Sequence, residues 1–285
     1  MTRYQTRFIE VVRFIEANLD EDLDVEQLCQ LANLSKYHFH RQCSLFFGMS
    51  VMSLARLLRL KRAAYQLAYR DSNIIDIAIT AGYDSHEAFS RAFKRCFKLS
   101  PSDFRLSPDW ALWQTKYQTI VELRTKIMNT QVAVSIVDFP ETLIAVMEHR
   151  AAPHLLGASI QKFIQWRKAH GLSPSKSKTF NLVYDDPSIT ADKDYRFDLA
   201  CAVKRPLADN YDGIVNKVIP AGKCAKVRHV GSDDTLATSV NFLYQNWLQD
   251  NEYELRDFPL FFHRVSFFPE VSEQEMVTDI YLPVQ

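Results

Sequence analysis

The stretch that decides the fold of the first domain is IIDIAITAGYDSHEAFSRAFKRCFKLSPSDFR, residues 74–105. Apolar residues at positions 74, 77 and 78 predict one face of a short helix. Gly82 can adopt a positive φ at low cost, so we expect the chain to turn there. Ser85 is of a type that caps helices, and it precedes a second predicted helix over His86–Arg95. The stretch therefore predicts a helix-turn-helix.

The same pattern occurs a second time, about 50 residues earlier in the chain. Ser35-x3-Phe39-x-Arg41 recurs as Ser85-x3-Phe89-x-Arg91, whereas the offset is 49 just upstream, which places one extra residue in the second turn. Asn33 stands in place of the turn glycine and tolerates positive φ better than most residues. Ser35 is expected to cap a helix over Lys36–Phe46. The sequence therefore predicts two helix-turn-helix units.

A long connecting helix is expected between the two units. Residues 51–69 contain neither Gly nor Pro and keep a leucine-rich apolar face. At 1.5 Å per residue this helix is about 28 Å long. It is therefore suited to hold two recognition helices about one DNA turn (~34 Å) apart.

Composition places the chain among ordinary globular proteins. Hydrophobic residues make up 47% and charged residues 24% of its 285 residues, which excludes disordered, coiled-coil and collagen-like chains. No run approaches the ~18 apolar residues of a membrane span, so no membrane association is expected. The five cysteines form no CxxC pair, so we expect no disulfide framework, no metal and a cytoplasmic location.

The net charge of zero conceals a basic region. Lys+Arg and Asp+Glu both number 34, but residues 36–105 alone carry twelve positive and five negative side chains. A basic cluster is usually a solvated face, and it indicates nucleic-acid binding when a reading element accompanies it. The two predicted helix-turn-helix units are such elements.

Residues of about 5–107 resemble the DNA-binding domain of AraC/XylS-type transcription activators. The resemblance is carried by LANLSKYHFHRQCSLFFGMS and by the ordered run I-x2-IA-x3-G-Y-x-S-x3-F-S-R-A-F-K-x7-P-x3-R. Lys98 stands where the family commonly has glycine, a difference expected to affect the final turn. Outward-facing helix positions match those that contact DNA in the family, and the expected DNA-binding residues are Lys36, Tyr37, His40, Arg41, Ser85, His86, Glu87, Arg91, Lys94 and Arg95.

The second half changes to alternating, β-branched segments that predict strands, interrupted by two helical stretches. The expected strands are Val132–Val137, Leu143–Met147, Arg196–Val203, Gly213–Ile219 and Met276–Leu282, and the expected helices are Leu155–His170 and Thr235–Asp250. Pro140, Ala145 and His149 recur 80 residues later as Pro220, Ala225 and His229. We therefore expect a duplicated α+β domain whose two halves face each other across a cleft.

Residues of about 131–285 resemble the GyrI-like domain, a duplicated small-molecule-binding fold. The phrases that carry the resemblance are YDDP, RFDLACAV, IPAGKCAKVRHVG, NWLQDNEYELRDFP and TDIYLP. Family members that bind cations tend to use a buried Glu in a P-x-x-E-x-Y stretch, but here Phe262 occupies that position and Arg264 that of the tyrosine. An apolar or anionic amphiphile is therefore the expected ligand. The candidate pocket residues are Glu148, Phe163, Trp166, Tyr184, Trp247 and Phe262.

The sequence thus predicts a multidomain protein, an all-α double helix-turn-helix domain followed by an α+β duplicated GyrI-like domain. The expected boundaries are 1–107 for the DNA-binding domain, 108–130 for a connector and 131–285 for the regulatory domain. Expected partners are double-stranded promoter DNA, RNA polymerase and a hydrophobic or amphipathic effector, and no cofactor is expected. A protein-interaction module resembling a gyrase inhibitor remains an alternative for the second domain. A hydrolase is a weaker alternative, since no nucleophile motif such as GxSxG is present.

Overall fold

The structure, a computed structural model, describes residues 3–127, 133–208 and 213–285. The chain divides into two compact units. One comprises Met1–Asn129 with Phe268–Gln274, and the other comprises Thr130–Phe267 with Glu275–Gln285. Val132, the connector's last residues and the predicted boundary at 130/131 lie outside the described residues. The domain limits proposed from sequence stay predictions.

The first unit is helical. Its helices are α1 (Arg3–Ala17), α2 (Val25–Leu31), α3 (Lys36–Phe47), α4 (Val51–Tyr69), α5 (Ile74–Thr80), α6 (His86–Phe97), α7 (Pro101–Leu106) and α8 (Trp110–Ile127). The predicted recognition helices over Lys36–Phe46 and His86–Arg95 correspond to α3 and α6, and the connecting helix corresponds to α4. No single helix among the described residues is long and apolar enough to cross a membrane. By length and composition, α3 and α4, bent by 48°, pass that test only as a pair.

Both helix-turn-helix turns close with the same hydrogen bonds. Leu34 N–H donates to Cys29 O over 3.0 Å, and Tyr83 N–H donates to Ala78 O over 3.0 Å. Asn33 and Gly82, which occupy the positive-φ position, have φ values of 50° and 79°. These are the six-residue closures typical of helix C-termini. The extra residue predicted for the second turn lies after this closure.

The first unit also holds a buried ion pair that the sequence did not indicate. Lys61 Nζ lies 2.6 Å from Glu273 Oε1, and both side chains are nearly inaccessible to solvent. The same Nζ lies 5.2 Å from the ring centroid of Trp113 and 5.0 Å from that of Tyr117. Removing one partner of such a pair leaves a buried charge uncompensated, so Lys61 is a structural cation rather than a free surface charge.

The second unit contains one eight-stranded antiparallel sheet. Its strands are β1 (Val134–Phe139), β2 (Thr142–Arg150), β3 (Thr179–Val183), β4 (Arg196–Ala202), β5 (Ile214–Ile219), β6 (Gly222–Val230), β7 (Leu260–Arg264) and β8 (Val277–Pro283). Helices α9 (Leu156–Ala169) and α10 (Leu236–Phe242) complete it, with short 3₁₀ turns before them. The helix predicted over Thr235–Asp250 is α10 followed by a π-helical turn at Leu243–Trp247.

The two halves of the second unit are joined edge to edge, which differs from the expected arrangement of halves facing each other. The sheet order is β1-β6-β8-β7-β3-β4-β2-β5, so β3 pairs with β7 at its centre. In addition, β1 pairs with β6 and β5 pairs with β2. The first strand of each half therefore pairs with a strand of the other half. Backbone hydrogen bonds between strands of the two halves therefore join them into one sheet.

The duplication extends to two buried histidines at equivalent positions. His149 Nδ1 lies 2.9 Å from Ser159 Oγ, and His229 Nδ1 lies 2.9 Å from Ser239 Oγ. The Nε2 atoms of His149 and His229 lie 3.2 and 3.3 Å from backbone carbonyl oxygens three residues further along the chain. Each histidine thus ties the strand that carries it to the following turn and helix.

Lys98 keeps the turn that family members build with glycine. It ends α6 in the left-handed conformation, with φ 62° and ψ −3°, and its N–H donates to Lys94 O. Gly48 occupies the equivalent position after α3 with φ 68°. The chain geometry is therefore retained, although a residue with a side chain is less stable than glycine in this left-handed conformation.

We predict that Lys98→Gly raises the free energy of unfolding of the first unit by about 0.5–1 kcal/mol, because glycine adopts this conformation without strain. Urea denaturation followed by circular dichroism measures the change. Gly48→Ala is the reciprocal variant and is expected to destabilise the unit by about 1 kcal/mol. A loss of stability in Lys98→Gly would contradict the assignment of strain to this residue.

We also predict that the second unit loses stability as the pH falls below about 6.5. Burial lowers the pKa of His229 and of His263 from the ordinary value of 6.5. The unfolded chain therefore takes up protons that the folded chain does not, and the stabilisation present above pH 6.5 is lost on acidification. Denaturation of the full chain between pH 7.5 and 5.5 measures this. His229→Gln is expected to be less stable by about 1–3 kcal/mol at pH 7.5 and to show a shallower pH dependence. An unchanged pH dependence in His229→Gln would show that this group does not contribute.

Candidate nucleic-acid interface and effector-binding face

The orientation of α3 is fixed by a cap and by one buried ring. Ser35 Oγ accepts a hydrogen bond from His38 N–H at 3.5 Å and caps the helix. Phe39 is fully buried, and its ring centroid lies 6.0 Å from that of Phe8 on α1. Because residues three and four apart share a helix face, burying Phe39 turns Tyr37, on the opposite side, outward. Tyr37 is 71% exposed although it is aromatic.

The orientation of α6 is fixed in the same way. Ser85 Oγ accepts from Ala88 N–H at 3.2 Å. Phe89, Phe93 and Phe97 are fully buried along one side of the helix. The rings of Phe93 and Phe97 contact that of Phe104 of α7 in T-shaped and tilted arrangements, with centroid distances of 5.3 and 5.5 Å. An aromatic stripe of this kind presents the opposite side of α6 to solvent.

Every side chain predicted to contact DNA belongs to an exposed residue. These residues are Lys36, Tyr37, His40, Arg41, Ser85, His86, Glu87, Arg91, Lys94 and Arg95. Ser85 also has a structural role, since its hydroxyl caps α6. Among the described residues, no ion pair is formed by Arg41, Arg91, Lys94 or Arg95, so these cations face solvent without a carboxylate partner. We call the ten residues the recognition surface.

Fewer basic residues of α4 are available to bind DNA than their number indicates. Arg59 donates to Leu19 O over 2.8 Å and to Glu21 O over 2.6 Å. Arg62 forms a two-pronged pair with Asp20, at 3.0 and 2.5 Å. With Lys61 in its buried ion pair, three of the four cations in this segment bind groups within the first unit. The Asp20 carboxylate and the Glu21 backbone carbonyl are thus partners of α4.

In the second unit, the two faces of the sheet have different composition. One face carries a core cluster built from strand residues alone, among them Phe180, Phe261 and Tyr281, with Phe139 packed against it. The Phe139 ring centroid lies 4.9 Å from that of Phe261 and 5.1 Å from that of Tyr281. We call this the strand-only face. The clusters on the other face include side chains of α9 or α10, and we call it the helix-bearing face.

A buried carboxylate with cationic partners lies on the strand-only face in each half. Asp198 is inaccessible to solvent and accepts hydrogen bonds from three side chains. Its partners are Arg150 Nη1 at 2.7 Å, Lys217 Nζ at 2.7 Å and Tyr184 OH at 2.9 Å. Lys217 also binds Glu148. The three cations Arg150, Arg196 and Lys217 lie 5.3–5.7 Å from the Tyr184 ring centroid.

The second half repeats this arrangement around Asp279. Arg228 donates from Nε and Nη2 to its two carboxylate oxygens, over 2.7 and 2.9 Å, and Lys226 Nζ lies 2.9 Å away. Lys226 also lies 5.5 Å from the Tyr281 ring centroid. Neither aspartate was among the residues predicted from sequence. Extending the internal repeat to the last strand of each half, where Asp198 and Asp279 are 81 positions apart, would have found them.

The electrostatics of the two clusters follow from burial and pairing. Burial alone would raise the pKa of Asp279, but hydrogen bonds from Arg228 and Lys226 outweigh it and the pKa is lowered. The pKa of Tyr184 is raised by burial and by its hydrogen bond to Asp198. At neutral pH the Tyr184 phenol is therefore a neutral donor among charged groups. The most exposed charged member is Arg196 in the first cluster and Arg228 in the second.

The structure does not bring the six predicted pocket residues together. Phe163 and Trp166 pack in one cluster with α9, whereas Phe262 and Trp247 belong to another with α10, all on the helix-bearing face. Tyr184 and Glu148 lie on the strand-only face. Phe262, at the position of the family's carboxylate, is buried among Leu260, Ile280 and other apolar side chains. The pocket predicted from sequence is therefore divided between both sides of the sheet.

Comparisons with known proteins cover both units. Residues 133–285 match the model of the GyrI-like small molecule binding domain, and residues 28–107 match that of a helix-turn-helix domain. The chain is 39% identical to the probable transcriptional regulator YgiV of Escherichia coli over 157 residues, 55% of this chain and 98% of that protein. It is 31% identical to the HTH-type transcriptional activator AarP of Providencia stuartii over 127 residues, 44% of this chain and 90% of that protein.

The right origin-binding protein of Escherichia coli is 31% identical over 102 residues, 36% of this chain and 35% of that protein. The GyrI-like match covers more than half of the chain, and the AraC-type helix-turn-helix occupies the part before it. The duplicated capped helices and the duplicated sheet described above are the features expected of these two domains. The chain therefore belongs to the AraC-type helix-turn-helix transcriptional regulators that carry a GyrI-like small molecule binding domain.

Proposed function

We propose that the recognition surface reads a promoter site, with α3 and α6 entering successive major grooves of one DNA duplex. The observation that carries this proposal is the repeated division of each helix into a buried phenylalanine side and an exposed cationic side. A helix that presents its N-terminal side chains to base edges and its cations to phosphates is the usual reader of a major groove. Both readers lie in one chain, so a single copy suffices for an asymmetric site.

The roles of individual side chains follow from their chemistry. Arg41 and Arg91 suit guanine, since a guanidinium can donate to both O6 and N7. Tyr37, exposed near the start of α3, suits contact with a thymine methyl group. Glu87 accepts from cytosine N4 and repels phosphate, so it contributes by excluding other bases as well as by contact.

Activation of transcription, the role named for AarP, would need contact with RNA polymerase as well as with DNA. We propose that this regulator is an activator that acts in the cytoplasm on polymerase bound beside its site. The match to that named activator supports this proposal.

We propose that the second unit binds an apolar or anionic amphiphile on the strand-only face. The partly buried rings of Phe139 and Tyr184 offer an apolar surface. Arg196 and Arg228 are the most exposed charged groups of the two clusters on this face, with side-chain exposures of 54% and 57%, whereas Arg150 and Glu148, at 37% and 38%, are paired with each other. Both buried aspartates already have cationic partners, so a cationic ligand would have to displace them. The charge distribution therefore favours a neutral or negatively charged ligand.

The remaining alternatives are a protein-interaction module and a hydrolase. We favour ligand binding over hydrolysis because both ring nitrogens of His149 and of His229 are within hydrogen-bond distance of serine hydroxyls and backbone carbonyls. Histidines held in this way serve the fold rather than proton transfer. Binding of a protein partner instead of an amphiphile is an outcome of the ligand test below.

We predict that Arg41→Ala weakens binding to the selected promoter site by about 1–3 kcal/mol and relaxes the preference for one base at one position. The reason is the loss of a two-pronged contact to guanine. Fluorescence anisotropy on the site and on its single-base variants measures both effects. Arg13→Ala, an exposed arginine on α1 paired with Glu10, is the matched control and is expected to bind as the parent chain does. Equal losses on specific and random DNA would show that Arg41 contacts phosphate and would contradict the assigned reading role.

We predict that Tyr184→Ala weakens binding of decanoate about tenfold or more, whereas Trp247→Ala retains it, because Tyr184 lies on the strand-only face and Trp247 on the helix-bearing face. Calorimetric titration of the full chain with decanoate, decanol and decyltrimethylammonium measures affinity and charge preference. The cation is expected to bind weakest.

Equal losses in both variants would contradict the choice of face. If none of the three compounds bound, the amphiphile proposal would fail, and the second unit would be better described as a protein-interaction module.

A further inference from the structure

The first unit contains a cleft whose lining includes residues outside the recognition surface. It lies between α4, the turn after α5, and α6, and its volume is about 460 Å³. Four arginines line it, Arg56 and Arg59 from α4 and Arg91 and Arg95 from α6, together with Tyr83 of the turn. We call it the arginine cleft. Volumes of 300–1,000 Å³ are typical of small-molecule sites.

The positive charge of the arginine cleft is largely uncompensated. Arg59 donates to two backbone carbonyl oxygens, which use two of its five N–H groups and carry no full charge. Within the described part of the chain, Arg56, Arg91 and Arg95 form neither an ion pair nor a side-chain hydrogen bond with a carboxylate. Several guanidinium groups converging on one concave surface favour an anion there.

Tyr83 adds a polar group without a partner. Its hydroxyl oxygen is buried and forms no hydrogen bond with any described residue. Burial raises the pKa of Tyr83, while Arg56 and Arg95 act in the opposite direction, so the phenol remains a neutral donor at pH 7. Buried polar groups in folded proteins are nearly always hydrogen-bonded, and one left unpaired beside a cleft is a candidate to bind a ligand.

The rest of the lining is apolar and small. Ala55 of α4 and Ala88 and Ala92 of α6 contribute methyl groups, and Met52 adds a flexible apolar side chain. A cleft built for phosphate alone needs no such floor, whereas an organic anion with a flat apolar body would cover it. The lining therefore combines cations for a head group with an apolar surface for a ring system.

We propose that the arginine cleft binds a small organic anion, a carboxylate or sulfonate on a flat apolar body, and that its occupation opposes DNA binding. The second part rests on the proposed function, because Arg91 and Arg95 belong to the recognition surface as well as to the cleft. An anion that binds them occupies Arg91, which is proposed to read guanine, and neutralises Arg95, a cation otherwise available to DNA phosphates. Both effects weaken DNA binding, since base contacts specify the site and phosphate neutralisation contributes strongly to affinity.

Titration of the full chain with naphthalene-2-sulfonate, followed by its fluorescence, tests the site without DNA. Neutral 2-naphthol and cationic 2-naphthylmethylammonium carry the same ring system with a different charge, and we expect each to bind at least tenfold more weakly. Arg56→Gln and Ala88→Leu, which remove a charge and fill the cleft, are expected to weaken sulfonate binding tenfold or more. Arg13→Gln, an exposed arginine on α1 outside the cleft, is expected to leave it unchanged. Circular dichroism confirms that each variant is folded.

Two results would overturn the proposal. Sulfonate binding that persists in both Arg56→Gln and Ala88→Leu would place the compound elsewhere on the chain. Inorganic phosphate binding as tightly as the sulfonate would show that the apolar floor takes no part.

DNA competition is measured separately. Saturating sulfonate is expected to weaken DNA binding at least fivefold in the parent chain and to have no such effect in Ala88→Leu. An unchanged DNA affinity with direct binding intact would reject the antagonism alone. Failure to bind DNA at all would reject the proposed function and leave the result of the direct titration standing.

Discussion

The burial of one phenylalanine near the start of α3 and of α6 is the constraint on which the recognition surface, and with it the proposed reading of DNA, depends. Phe39 and Phe89 are both fully buried, four residues after a serine that caps the helix. Cap and ring together fix where each helix begins and how it is rotated about its axis. Arg41 and Arg91, two residues beyond each ring, therefore face solvent in equivalent positions. If the phenylalanines were not packed, the same side chains would have no defined direction.

The helix-turn-helix units could be predicted from sequence because their signals are local. Caps, a positive-φ turn residue and a spacing of three and four residues all lie within a few turns of chain. The duties of the α4 cations could not be predicted in this way. Arg59 binds backbone carbonyls about forty residues away and Lys61 binds Glu273, more than two hundred residues away. Counting basic residues along the sequence therefore did not distinguish the cations that bind groups within the first unit from those that face solvent.

In the second unit, strand alternation and the internal repeat predicted a duplicated α+β fold but not the way its halves join. Strands β3, β6 and β7 were not predicted from the sequence. The 80-residue repeat makes β6 the equivalent of β2, so β6 could have been predicted. The candidate pocket residues were selected by residue type alone. Tyr184 and Phe262 lie on opposite faces of the sheet. Phe163, Trp166 and Trp247 lie on the same face as Phe262 because α9 and the turn after α10 pack there, and that packing is set by contacts far apart in sequence. The repeat also relates Asp198 to Asp279, but their cationic partners on neighbouring strands became evident only in three dimensions.

The central claim is that two equivalent helices of one chain read two neighbouring major grooves, and selection of DNA from a random pool by the purified full chain tests it most directly. The account predicts enriched fragments that carry two different short motifs about 10 base pairs apart, centre to centre, and that are bound by one copy of the chain. Enrichment of a single short motif, or of a palindrome bound by two copies, would contradict it.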